Sequence, residues 1–127
     1  MGAISVDLHI EQGADWPGLA FPIFDSVGAP YDLAGCTALG MIRQTPFTEP
    51  SLFTWSTSPT SGQGLITLSG NLLTVRVLGV ESAAWGLWTW SSSRYDINLT
   101  NPSAPVGQRT FRIADGAVYL DLEVTHY

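Results

Sequence analysis

Apolar and polar residues alternate one for one through several short stretches of this chain. A period of two is what a half-buried strand requires, and a helix cannot use it. Ile4, Val6, Leu8 and Ile10 alternate with Ser5, Asp7, His9 and Glu11; Tyr95, Ile97 and Leu99 alternate with Asp96, Asn98 and Thr100. Val118, Leu120, Leu122 and Val124 alternate in the same way with Tyr119, Asp121, Glu123 and Thr125. Each run predicts a strand with one face turned inward. Residues 19–24, 37–44, 52–55, 65–69, 72–78 and 108–114 read as further strands, separated by Gly, Pro, Asn and Ser clusters.

The breaks between strands carry their own chemistry. Gly70-Asn71 reads as a two-residue hairpin turn, and Asp115-Gly116 reads as a second one joining residues 108–114 to 117–125. Trp16-Pro17-Gly18 predicts a turn within a loop. Pro22 lies inside a strand and has no N–H to donate, so it belongs at an edge or a bulge. The stretches 45–50, 56–64 and 101–107 read as exposed loops. Only residues 79–90 show helical spacing, with Trp85 and Trp88 three apart, which predicts one or two helical turns. Eight or nine strands spaced about ten residues apart predict an all-β domain spanning residues 1–127. The expected architecture is an antiparallel two-sheet β-sandwich, immunoglobulin-like or jelly-roll-like, with one short helix between strands. A partly closed barrel is the alternative.

Residues 24–43 form the most informative connection. Asp25-Ser26-Val27-Gly28 closes a strand, and Pro30 fixes its own φ while pushing Ala29 into an extended conformation. Asp32 can accept hydrogen bonds from the next turn, Leu33 drops inward, and Gly35 permits a backbone angle that other residues avoid. Arg43 is expected to form a fixed ion pair with Asp32 or Asp25.

Charge and composition exclude several functions. The net charge is −6, all five basic residues are Arg, and they are scattered, so the basic stripe of a nucleic-acid binder is missing. No run approaches the about 20 apolar residues that span a bilayer, and Met1-Gly2-Ala3-Ile4 does not resemble a signal peptide. A soluble chain made in a cytosol is expected. The single Cys36 excludes an internal disulfide and is expected to be buried filler, and His9 and His126 lack zinc spacing.

Neither a nucleophile elbow nor a phosphate-cradling loop occurs, so no catalytic residue is assigned and an enzyme is not expected. If the first and last strands met, Asp7, Glu11, Asp121 and Glu123 would form an oxygen cluster of calcium size. Without an Asp-rich loop, a solvated face is the expected reading, with no metal and no cofactor. Five Trp is a large number for 127 residues. Trp85, Trp88 and Trp90, with Trp55, are candidate interface residues; stacking on sugar rings and plain core packing are the other uses of such residues.

Phe24-Asp25 with Gly28-Ala29-Pro30-Tyr31-Asp32-Leu33-Ala34-Gly35, then Thr37-Ala38 and Ile42-Arg43, resembles a motif of small all-β virion proteins of tailed bacteriophages. That motif is D-x-x-G-x-P-x-D-L-T-G-Y-x-A-x-x-x-I-R, and the family is similar to the N-terminal domain of upper baseplate proteins in phages of lactic-acid bacteria. Residues 94–99 resemble the family's Y-x-Y-D-L-E-L strand, and residues 111–118 with Val124-Thr125 resemble its ending, L-L-x-G-x-V-x-V followed further on by V-T. Ala34 stands where the motif has Thr, and Cys36 where it has an aromatic residue.

The resemblance spans residues 13–125 and implies a virion structural part in the tail tip, baseplate or fibre-attachment region. It implies a protein made in the host cytoplasm and assembled in several copies, with other virion proteins and copies of itself as partners. No catalytic site, nucleic acid or membrane is implied. A carbohydrate-binding module, on a receptor-binding tip or in a bacterial hydrolase, and a capsid decoration protein are the rival readings.

Overall fold

The computed structural model describes residues 4–11, 16–25, 27–43, 53–60, 63–77, 93–107 and 109–121. They form nine strands, with no helix among the described residues: β1 (Ile4–Ser5), β2 (Leu8–Glu11), β3 (Trp16–Pro22), β4 (Thr37–Arg43), β5 (Phe53–Ser56), β6 (Gly64–Ser69), β7 (Leu72–Val77), β8 (Arg94–Thr100) and β9 (Thr110–Asp121). The all-β class is therefore as expected. The helix expected over 79–90 lies outside the described residues, as does the 45–50 loop.

The strands are hydrogen-bonded in the order β1-β9-β8-β4-β5-β6-β7-β3, with β2 also pairing with β9. Leu8 and Ile10 on β2, beside β9 near one end of this path, and Phe21 on β3 at the other end bury in one hydrophobic cluster with Ile97, Leu73 and Val75. A flat sheet cannot bring its two ends to one core, so the sheet curls over that core. The alternation expected along β4 and β8 is present: Ala38, Gly40 and Ile42 are buried on β4, and Tyr95, Ile97 and Leu99 on β8.

Pairing departs from the antiparallel expectation in two places. Both β1 and β2 run parallel to β9, and β5 meets β6 in parallel through Trp55↔Gly64 and Ser56↔Leu65. The sheet is therefore mixed. A period of two fixes which face of a strand is buried, but it carries no information on the direction of the neighbouring strand.

Asp115-Gly116 is not a turn. β9 runs through it as one continuous strand of 12 residues, paired with β8 along one side and with β1 and β2 along the other. Gly116 is needed for a different reason: a Cβ there would lie 2.1 Å from the Val6 carbonyl oxygen. The chain between β1 and β2 presses on β9 at this point, and the Val6 N–H donates to Asp115 O at 3.0 Å. Trp16-Pro17-Gly18 is likewise a bulge within β3, between Trp16↔Val77 and Leu19↔Val75, and does not form a loop turn. Pro22 lies on β3, the edge strand, as its missing N–H requires.

Candidate functional site

The 24–35 connection is held by its own residues and tied to the β6–β7 turn, where the Leu33 N–H donates to Gly70 O at 3.0 Å. The Asp25 carboxylate Oδ1 accepts the Val27 and Ala29 N–H groups at 3.0 and 2.9 Å, the Asp25 N–H donates to Ala29 O at 2.8 Å, and Phe24 bridges to Pro30. Gly28 and Gly35 take φ values of 85° and 77°, in the left-handed region that favours glycine. Asp32 Oδ1 accepts the Ala34 N–H at 3.0 Å, and Leu33 is buried. Cys36 is buried beside this turn; burial, and secondarily the charge of Asp32, pushes its thiol pKa up, which suits filler rather than a nucleophile.

The expected pairing of Arg43 with Asp25 or Asp32 is not made. Both carboxylates are engaged by their own turns, and β4 carries Arg43 six residues, about 20 Å, beyond the end that Asp32 leads into. Its guanidinium Nη2 lies 3.1 Å from Met41 Sδ. Trp55 is also not available as an interface residue. It is fully buried, its indole N–H donates to Arg76 O at 3.0 Å, and its ring meets Phe53 and Tyr95 edge-on. Gly64 opposite makes room for it, since a Cβ there would come within 2.5 Å of the indole. Trp85, Trp88 and Trp90 lie outside the described residues.

Three of the chain's five Arg and two of its 11 acidic residues lie together at β4, β8 and β9. A depression of about 120 Å³ is lined by Met41, Arg43, Arg94, Asp96, Arg112 and Asp115. Strand register sets the arrangement: Arg43 stands opposite Arg94, and Asp96 stands opposite both Met41 and Asp115. The Arg112 guanidinium lies between the two acids, 3.6 Å from Asp96 and 3.8 Å from Asp115.

Arg112 and Asp115 are three apart and in a regular strand would face opposite sides. A bulge in β9 changes the count, because Ile97 pairs with Ala114 while Asn98 pairs with Arg112, so that Ile113 and Ala114 are both buried. This single extra residue puts Arg112 and Asp115 on one face. Period-two reading of β8 alone places Arg94 and Asp96 together; the bulge that adds Arg112 leaves no local mark in the sequence.

Behind the depression, the buried Tyr95 hydroxyl donates to Val6 O at 2.6 Å. Burial, then the charges of Asp115 and Asp7, push its pKa well above the ordinary tyrosine range. Asp7 Oδ1 accepts the Ala117 N–H at 3.0 Å, and the Ser5 hydroxyl donates to Asp115 at 2.8 Å. The first and last strands do meet, with Glu11 in register with Asp121. Asp7, however, is committed to a backbone N–H, and no metal-sized group of ligands occurs among the described residues. Glu123 lies outside them. His9 and Tyr119 stack on the exposed face of β2 and β9, ring centroids 4.8 Å apart.

No protein-family model matches the chain, and no curated protein matches it in sequence.

Proposed function

We propose that the chain is a non-enzymatic structural component of a tailed-phage virion, docking onto neighbouring subunits in the tail tip, baseplate or fibre-attachment region. The observation that carries this reading is the 24–35 connection. The residues that carry the resemblance, Asp25, Gly28, Pro30, Asp32 and Gly35, are the ones whose hydrogen bonds and backbone angles build that connection.

In this proposal the curled sheet acts as a two-layer sandwich. β1, β2, β9, β8, β4 and β5 form one layer and β6, β7 and β3 the other, joined where β5 and β6 share only two register pairs. Such a body is a rigid plug. It offers neighbouring subunits its β3 edge, the β1 and β2 edge, and the loops between strands, and strand edges are natural templates for contact with other chains. Partners are other virion proteins and further copies of the chain. Trp85, Trp88 and Trp90 are proposed contact residues.

A density map of the intact particle tests the reading. Density for this chain is expected in the tail tip, baseplate or fibre-attachment region. Density on the capsid surface would make it a decoration protein, and absence from the particle would overturn the proposal.

A further inference from the structure

Along β3, β7 and β6, Phe21, Leu73, Val75 and Ile66 are buried, so the residues between them point away from the core. Register sets these outer residues in rows: Pro22, Leu72 and Ser69 in one, Ala20, Thr74 and Thr67 in the next, with Phe24 continuing the β3 side. Phe24 and Leu72 are 45% and 43% exposed. The chain has 11 acidic residues, and none stands in these rows. Charge comes at the two ends. Arg76 is exposed four residues along β7 from Leu72, about 13 Å away. At the opposite end, the exposed Asp32 precedes Leu33, whose N–H donates to Gly70 O in the β6–β7 turn at 3.0 Å.

We propose that this face pairs with the same face of a second copy of the chain, across a two-fold axis that sets the strands of the two copies antiparallel. Two chains that each carry a net charge of −6 repel, so copies meet best where no acid lies in the middle of the contact. Apolar and hydroxyl side chains suit that middle, where interfaces are depleted in charge. The end charges then set the direction. Reversing one copy brings each Arg76 over the Asp32 end of the other, and the two-fold makes that ion pair twice. Parallel copies would set Arg76 against Arg76 and Asp32 against Asp32. Three strands of six residues, about 4.8 Å apart, span roughly 300 Å² in plan, below the about 800 Å² per partner of a stable complex. The pair is therefore weak and forms at high local concentration. The pairing follows from the face itself; only its use between copies in a particle rests on the docking reading.

The test is a nuclear magnetic resonance dilution series of the full chain from about 1 mM to about 20 μM, with sedimentation to read the mass. The backbone amides of residues 67, 72 and 74 are expected to shift with concentration, and the mass to rise toward that of a dimer. Leu72→Asp is expected to weaken pairing at least tenfold, whereas Leu39→Asp, at an equally exposed residue of β4 in the other layer, leaves it unchanged. Arg76→Glu and Asp32→Lys, each checked for folding by its amide spectrum, are each expected to weaken pairing roughly tenfold. Mixing these two variants is expected to restore it, because each end contact then joins opposite charges again. A chain that stays monomeric at about 1 mM, concentration-dependent shifts confined to β4 and β8, or a mixture of folded variants that does not recover would overturn the proposal. A monomeric chain leaves the docking reading to its own test in the particle map. A particle lacking the chain removes the docking reading and leaves the dilution result standing.

Discussion

Gly70-Asn71 and Asp115-Gly116 carry the same kind of turn signal and end in opposite structures. Gly70 and Asn71 link β6 to β7 as a two-residue turn, with Ser69 paired to Leu72 and Gly70 at a φ of 61°. Asp115 and Gly116 lie in the middle of β9, with strands on both sides. The difference is in what surrounds them. A Cβ at Gly70 would meet nothing within 4 Å, whereas at Gly116 it would meet the Val6 carbonyl oxygen at 2.1 Å. One glycine serves its own backbone angle, and the other serves a chain that crosses it.

Substitution can break this contrast. Gly116→Ala is expected to have the largest effect, destabilising by roughly 4 kcal/mol or preventing folding, because backbone must move away from backbone; denaturant unfolding measures it. Gly70→Ala faces open space and should cost only about 1 to 2 kcal/mol, the strain of a left-handed angle in a residue with a Cβ. Equal costs at the two positions would mean that both are turns.

Tyr95→Phe sharpens the contrast from the other side of the crossing. It removes the hydroxyl that donates to Val6 O and should cost about 1 to 2 kcal/mol. It should also change the response to alkali. The folded state raises the Tyr95 pKa, so it favours the protonated hydroxyl. That stability is complete below about pH 10, the ordinary tyrosine value, and is lost as pH rises above it toward the raised folded value. The chain has no Lys and its Arg groups stay charged, so few other groups titrate there. Wild-type stability is expected to fall above about pH 10, and Tyr95→Phe to fall less. Parallel curves would contradict the buried hydroxyl. Asp7→Ala is expected to have the smallest effect, about 1 kcal/mol, from the loss of the acceptor for the exposed Ala117 N–H; amide exchange at Ala117 should quicken accordingly.

Local pattern made the strands and their buried faces readable. Tyr95, Ile97 and Leu99 are inward as their spacing requires, and the 24–35 connection uses Asp25, Gly28, Pro30, Asp32 and Gly35 at the backbone positions their chemistry suggests. What the pattern does not contain is register and direction between strands. The parallel attachment of β1 and β2 to β9 has no local signature, and with it goes the reason for Gly116. Arg43 failed to reach Asp25 or Asp32 because nearness along the chain was converted by β4 into distance in space. Trp55 is in the core because Gly64, nine residues on, leaves a space of the right shape. The cluster at Arg94, Asp96, Arg112 and Asp115 depends on one bulged residue, and period-two reading alone would have put Arg112 and Asp115 on opposite faces.

Both the continuity of β9 and the charged face it helps to build can be tested together by cross-strand proton contacts in solution. The structure predicts contacts pairing residue 4 with 114 and residues 8 to 10 with 118 to 120 in parallel register, and residue 96 with 115 in antiparallel register. Contacts joining residue 114 to 117 across a turn at 115 and 116, with none to residues 4 and 8, would contradict it.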